Sequence, residues 1–279
     1  MARTSKTEKT GAGSAVQPFA GEQPVASPPP SRIPGDLGNG FRTSFELAIA
    51  DTPVLQDRVY QLRHSVYCED LQVEAAREDG READEYDRYA TSILLRHIAT
   101  SEFIACARLI RPVTDDSDGP LPFERICAHT LDHELLSANP IPRDRVAEAS
   151  RLAIIAKFRR RSGEAPVPAV LSDRDFGDEH FPRFPYIIIG LYLGMVALAR
   201  RDGIQRLYVL TEPRLAEHLS RLGIQIIQIG GPVEHRGTRF PSMIIVEDVI
   251  RNLNRYIGPM YEEIARQICR PSANATGLQ

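Results

Sequence analysis

The chain has 279 residues, 25% of them charged, and a formal net charge of −3. That balance supplies no global basic field for nucleic acid, and the longest apolar run, residues 186–199, is too short to span a bilayer. Cys68, Cys106, Cys127 and Cys269 show neither CxxC nor Cys/His spacing, so they read as free thiols in a reducing cytoplasm, not as a disulfide or metal framework. Residues 1–40, with Pro28-Pro29-Pro30 and little apolar periodicity, cannot offset their ordering entropy and are expected to be a disordered tail. Their basic start is followed by no apolar segment of the secretory kind. Residues 271–279 read as a second tail, leaving 41–270, about 230 residues, as a single domain.

Within it, Phe45–Ala50 alternates as a first strand, and Asp51-Thr-Pro53 is a turn and helix start. Val54, Leu55, Val59 and Leu62 have helical spacing, predicting a helix to about Val66. The acidic stretch 69–83 has no period and reads as a loop or loose helix. Residues 90–98 and 104–110 form a predicted hairpin across Thr100-Ser101-Glu102. Residues 112–145, rich in Pro and Asp, are a long connection with a helical piece near 129–136. A strand follows at 146–156, then a second long connection at 162–185. The strongest helix is 186–201, stopped by Asp202-Gly203. Strand 206–211, helix 213–222, strands 224–229 and 243–246, and a helix over 247–268 interrupted at Gly258-Pro259 complete the chain. A hairpin mixed with crossover units implies an α/β fold, with a mixed, twisted central sheet flanked by helices.

Glu148 and Arg151 lie at the head of the apolar run in strand 146–156. Three apart on a strand, they share a face only if the strand is bulged between them, and a bulge would also free N–H groups for an oxyanion. Asp84 and Asp87 share one face of a helical turn or loop rim. Arg108 sits inside an apolar strand, where a charge is costly unless paired, and Arg63 lies on a helix among apolar positions; either can pair with Asp84 or Asp87. Arg159, Arg160 and Arg161 follow the strand and suit phosphates or an acidic protein face. Glu212 stands between a strand and a helix, as an acid, a base or an electrostatic helix start. His129 and His133 are i, i+4 but have no third ligand, so no metal is expected. Each cluster also has a structural reading, as an ion pair or a solvated charged face.

These residues, in order, carry a resemblance. Leu62-Arg-x-x-Val-Tyr67, Asp84-x-x-Asp87, Ala107-Arg-Leu109 and Glu148-x-Ser-Arg151 resemble the pattern of the acyl-homoserine lactone (autoinducer) synthases and the N-acyl amino acid synthases, which have the GNAT acyltransferase fold. Leu121-Pro-Phe-Glu124 with Cys127, Phe158-Arg-Arg-Arg161, Glu212-Pro-Arg-Leu215 and residues 230–241 resemble the acyltransferases associated with the PEP-CTERM/exosortase system. The resemblance implies a GNAT-like fold over 41–270 and N-acyl transfer from an acyl-carrier protein thioester, or acyl-coenzyme A, to a small amine. It implies catalytic roles for Glu148 (the base), Arg151 and Arg108. Substrate binding would fall to Arg63, Tyr67, Asp84, Asp87 and Glu212, and Arg159 to Arg161 would meet the carrier. No bound cofactor is implied. Where autoinducer synthases place a tryptophan, ten residues after the first arginine, this chain has Val73 and no tryptophan anywhere. The alternatives are a GNAT-like module that binds an acyl carrier without turnover, and an acetyl-coenzyme A-dependent N-acetyltransferase.

Overall fold

The computed structural model describes residues 36–112, 119–159 and 185–270. The tails 1–35 and 271–279, the second long connection, and Arg160 and Arg161 lie outside the described residues. The first helix, α1 (Leu37–Ser44), begins inside the expected tail. Asp36 caps it by accepting from the Asn39 N–H, and Leu37 and Phe41, four apart, bury one face. Gly38 is required by close approach, since a Cβ there would come within 2.8 Å of the Pro259 carbonyl.

Then follow β1 (Phe45–Ile49) and α2 (Pro53–His64), the latter capped by the Thr52 hydroxyl and running on into a π-helical turn at Ser65–Asp70. The predicted hairpin is β2 (Ala90–His97) and β3 (Glu102–Ile110). The Pro- and Asp-rich connection carries α3 (Pro122–Ile126), which sequence periodicity does not show, and α4 (His133–Ala138). Next come β4 (Val146–Ile154), α5 (Ala156–Arg159), α6 (Tyr186–Arg201), β5 (Arg206–Thr211) and α7 (Pro213–Arg221). The last strands are β6 (Ile227–Gln228), β7 (Val233–Glu234) and β8 (Thr238–Ile245), before α8 (Val246–Asn252) and α9 (Gly258–Ile268). Two expected strands differ. Ile224, Ile226 and Ile229 are core residues, but only Ile227 and Gln228 join the ladder. The strand expected from Met243 starts at Thr238, with Pro241 inside it opposite Leu210.

The described strands form one open, mostly antiparallel sheet in the order β1-β2-β3-β4-β5-β8-β6, with β7 beside β8. Helices flank it. The main apolar core fills the face under α6 and α9, while Val59, Leu62, Val66 and Tyr67 cover part of the other face. A third cluster gathers Phe123, Ile110, Val146 and Tyr208. No described helix is long and apolar enough to cross a membrane.

Two irregularities of β4 open the sheet. It pairs with β5, in parallel, only from Val146 to Glu148, so the two strands part beyond Glu148. On its other side, Cys106 faces Ala153 and Arg108 faces Ser150, which sets Arg151 and Leu152 against Ala107 alone. This is a bulge, and Arg151 takes φ = 50°, the left-handed region costly for a side-chain-bearing residue.

Candidate active site

The gap between the parted strands opens into a cavity of about 410 Å³. Its walls divide by polarity. Met195 of α6, Leu207 and Val209 of β5, Leu215 of α7 and Ile244 of β8 give an apolar pouch. Glu148, Ser150, Arg151, Arg108, Asp84, Glu74, Glu212, His235, Arg236 and Arg239 give a polar chamber.

Below the chamber lies an ion-pair network. Arg63, wholly buried, donates from Nε to Glu82 and from Nη1 to Asp87 at 2.6 Å. Arg108, 2% exposed, donates to Asp84 at 2.6 Å and Asp87 at 2.9 Å, and from Nε to the Ser150 hydroxyl at 3.3 Å. Arg151 reaches Glu82 at 3.1 Å and Asp84 at 3.0 Å. Burial would lower the pKa of Arg63 and Arg108, but their carboxylate partners outweigh it and hold both above the usual range. Burial likewise works to raise Asp87, and the bonds from Arg63 and the charge of Arg108 overcome it, leaving Asp87 below the usual carboxylate range. The two aspartates also shape the backbone. Asp84 accepts from the Tyr86 N–H and Asp87 from the Asp84 N–H, capping the single helical turn Glu85–Tyr89.

Glu148 stands apart from these pairs. It is 5% exposed, and among the described residues its bond is from the Phe123 N–H to Oε2, at 2.8 Å. Burial pushes its pKa up to about 7, against the opposing pull of the Phe123 N–H and of Arg108 and Arg151. The other cavity-lining carboxylates are committed: Asp84 to Arg108 and Arg151, Glu74 to Arg236, and Glu212 to Arg239.

Tyr67 sits on the π-helical turn and donates its hydroxyl to the Leu152 carbonyl at 2.8 Å, at the bulge itself. The guanidiniums of Arg151 and Arg236 lie over its ring, at 5.8 and 5.3 Å from the centroid, and burial raises its pKa to about 12. Burial, then Arg151, lowers the pKa of His235. Arg236 takes φ = 54° at the tip between β7 and β8 and pairs with Glu74 across the chamber.

The structure thus brings together Arg63, Tyr67, Asp84, Asp87, Arg108, Glu148, Arg151 and Glu212. The bulge sets Glu148 and Arg151 on one cavity, but Arg151 serves the acidic network and not Glu148. Arg159 turns inward and pairs with Asp70, its side chain 5% exposed, so it does not present its charge at the surface. The residues missed by sequence are Glu82, Glu74, Arg236, Arg239 and Tyr192. Glu82 is hidden in an acidic stretch with no period. Tyr192 lies on the helix face that the apolar run made look like uniform core. Of α6, it is Tyr192 and Met195 that reach the cavity, whereas Ile188, Ile189, Leu191 and Leu193 are core. Among the described residues no group of three His, Cys, Asp or Glu side chains could hold a metal ion.

Comparison with known proteins places this fold among known ones. Residues 62–167 match the acetyltransferase (GNAT) domain family. An acyl-homoserine-lactone synthase of Rhizobium radiobacter is 23% identical over 176 residues, which cover 63% of this chain and 71% of that protein. The crystal structure of TofI in a ternary complex with an inhibitor and MTA aligns with a TM-score of 0.50 and 20% identity, over 72% of this chain and 91% of TofI. That of the AHL synthase LasI aligns with a TM-score of 0.50 and 15% identity, over 78% and 95%. At these identities the two structures speak for the fold alone, which is GNAT-like.

Proposed function

We propose that this chain, an acyltransferase of the GNAT fold related to the acyl-homoserine-lactone synthases, moves a long acyl group from a carrier thioester to the nitrogen of a small amine, with Glu148 as the base. One observation carries the reading: of the carboxylates lining the cavity, Glu148 alone is outside the described ion pairs, and its pKa of about 7 suits proton transfer at neutral pH. An amine acceptor arrives mostly as an ammonium ion. Glu148 takes its proton, directly or through one water, and the freed lone pair attacks the thioester carbonyl. The C–N bond forms, the carbonyl becomes an oxyanion, and the C–S bond then breaks. The thiolate leaves and is protonated by the proton shed from nitrogen, so the products are an amide and a free thiol.

The parted strands suit this chemistry. Beyond Glu148, β4 has no ladder with β5, so its edge groups face the cleft, where N–H groups can hold the oxyanion. A phosphopantetheine arm would enter between the strands, and the acyl tail would lie in the pouch of Met195, Leu207, Val209, Leu215 and Ile244. Acyl-carrier protein is the donor we favour from the sequence pattern, with acyl-coenzyme A the other; with Arg159 on Asp70, carrier docking would rest on Arg160 and Arg161. Leu121-Pro-Phe-Glu124, part of the resemblance to the exosortase-associated acyltransferases, holds Glu148 through the Phe123 N–H. Buried free thiols at Cys68, Cys106 and Cys127 accord with a reducing cytoplasm.

The test is turnover. Purified protein with a long-chain acyl-carrier protein or acyl-coenzyme A and a pool of amines is expected to release thiol and an N-acyl product identifiable by mass spectrometry. Binding of donor without thiol release would overturn the reading in favour of a carrier-binding module. Acetyl-coenzyme A outcompeting both long-chain donors would make the chain an N-acetyltransferase.

A further inference from the structure

Leu121-Pro-Phe-Glu124 is tied to Glu148 by a chain of contacts that runs back to the root of β4. The Phe123 N–H donates to Glu148 Oε2 at 2.8 Å, and the Phe123 ring, wholly buried, stacks on Tyr208 of β5 with 4.6 Å between centroids. Yet α3, which presents that N–H, has only five residues, and the Leu121 side chain ahead of it has no polar atom to cap it. A single turn does not hold itself. Its cap comes from Glu124, which reaches back and accepts from the Leu121 N–H at 2.6 Å. Arg143 in turn grips Glu124, donating from Nη1 to Oε1 at 2.7 Å and from Nη2 to Oε2 at 2.5 Å, a fork that fixes direction as well as distance. The same Nη2 donates to the Gly119 carbonyl at 2.9 Å. Arg143 begins the helical turn Arg143–Arg145 that leads into β4, and the Arg145 carbonyl accepts from the Gln205 N–H just ahead of β5. The guanidinium therefore ties α3 to the base of the two strands that part beyond Glu148.

We propose that Arg143 is a positioning residue for Glu148: by gripping Glu124 and the Gly119 carbonyl it fixes α3, and so keeps the Phe123 N–H on the Glu148 carboxylate. The inference rests on the reading of Glu148 as the base of N-acyl transfer. The groups that face Glu148 come from four elements. Arg108 of β3 and Arg151 of β4 favour the carboxylate, but both are committed to the acidic network. Glu124 of α3 opposes it. The Cys127 thiol that follows α3, pushed up to about 11 by burial and by Glu148, carries no charge at neutral pH. Tyr208 of β5, the ladder partner of Glu148, is likewise held neutral by burial. The Phe123 N–H is the strongest of the influences that favour the carboxylate. Without it, Glu148 keeps its proton to higher pH and is a scarcer base at neutrality.

The experiment replaces both members of the pair with apolar groups, Glu124→Met with Arg143→Met, which removes the clamp and leaves no charge unpaired. The titration of Glu148 is then read in two ways. One is the rising limb of kcat/KM against pH, with the same donor and amine throughout. The other is the midpoint of the Glu148 carboxyl carbon signal by NMR, assigned with Glu148→Gln. Both are expected to move up by about one pH unit in the double variant. Loss of the Glu124 charge alone would move them down, so an upward movement reports the lost N–H bond. Arg143→Lys, which keeps a cation on Glu124, should restore most of the wild-type position. A limb and midpoint that stay in place or move down in the double variant overturn the proposal, as does a loss of rate equal at every pH, the signature of a purely structural pair. If the double variant does not fold, Glu124→Gln with Arg143→Met keeps an acceptor for the Leu121 N–H, again leaves no charge, and must show the same upward movement. The NMR midpoint also separates this inference from the transfer reading. A midpoint that rises in a protein releasing no thiol keeps the clamp and removes the transfer chemistry, whereas turnover with an unmoved midpoint keeps transfer and removes the clamp.

Discussion

Glu148→Gln should make the protein more stable at alkaline pH while removing its activity. Folded Glu148 holds its proton up to a pKa of about 7, against an ordinary value of 4.5. The gap corresponds to about 3 kcal/mol. Because the folded pKa is the higher one, the folded state binds the extra proton between the two values. The associated stability is complete below about pH 4.5 and is lost as pH rises through 7. Above pH 8 the wild-type protein therefore carries nearly the whole cost of an ionised, 5%-exposed carboxylate. A glutamine amide oxygen can still accept from the Phe123 N–H and has no charge to desolvate. The stability of Glu148→Gln relative to wild type is thus expected to grow by about 2.5 kcal/mol between pH 5 and pH 8.5, read by urea denaturation at both. In the acyl-transfer assay, wild-type kcat/KM should rise with pH to a plateau above about 7, and the variant should lose on the order of 10²-fold in turnover. A stability difference that does not change with pH would refute the burial argument, and unchanged turnover would remove Glu148 from the chemistry.

Arg108→Met should destabilise the fold by about 3–5 kcal/mol, because it strips Asp84 and Asp87 of a shared buried partner; a midpoint in urea close to wild type would show the network to be dispensable. Met195→Trp adds bulk to the pouch and should shift the preferred acyl chain to shorter lengths by several carbons. A length profile identical to wild type would take the tail away from α6.

Charge inside an apolar run was the most readable signal in the chain. Arg108 in a strand had to be paired, and Asp84 and Asp87 were the acids available to it; the structure supplies both bonds. The β2–β3 hairpin, α6, β5 and α7 were legible because each has an unbroken period and a clear stop. What escaped did so for local reasons. β8 runs through Pro241, which reads as a breaker, yet Pro241 stands opposite Leu210 in the sheet. Glu82 and Glu74 are two acids in a stretch without periodicity, and only the three-dimensional approach of Arg63, Arg151 and Arg236 selects them. Arg159 was read with its neighbours as one basic surface, but Asp70, far away in sequence, draws it inward.

The bonds of the ion-pair network make it a scaffold of the cleft. Both oxygens of Asp87 are engaged, Oδ1 by Arg63 and Arg108 and Oδ2 by the Asp84 N–H. Asp84 is engaged at Oδ1 by Arg108 and the Tyr86 N–H and at Oδ2 by Arg151. An incoming ammonium would have to break a buried charge pair to reach Asp87, at a cost of several kcal/mol, whereas Asp84 lines the chamber with one described bond on Oδ2. What the network does hold is the bulge. Arg151 sits in a left-handed conformation that costs about 1–2 kcal/mol for a residue with a side chain. Its charge-assisted bonds to Glu82 and Asp84, each worth about 1.5–3 kcal/mol, are enough to offset that strain. Tyr67 fastens the next carbonyl, and Arg108 ties Ser150 from the neighbouring strand. With the bulge fixed, β4 cannot straighten against β5 and close the gap. The same set of arginines and aspartates, which resembles a catalytic cluster in sequence, holds the strands apart, and in the proposed reaction the proton acceptor beside the opening is Glu148, which stands outside the described ion pairs.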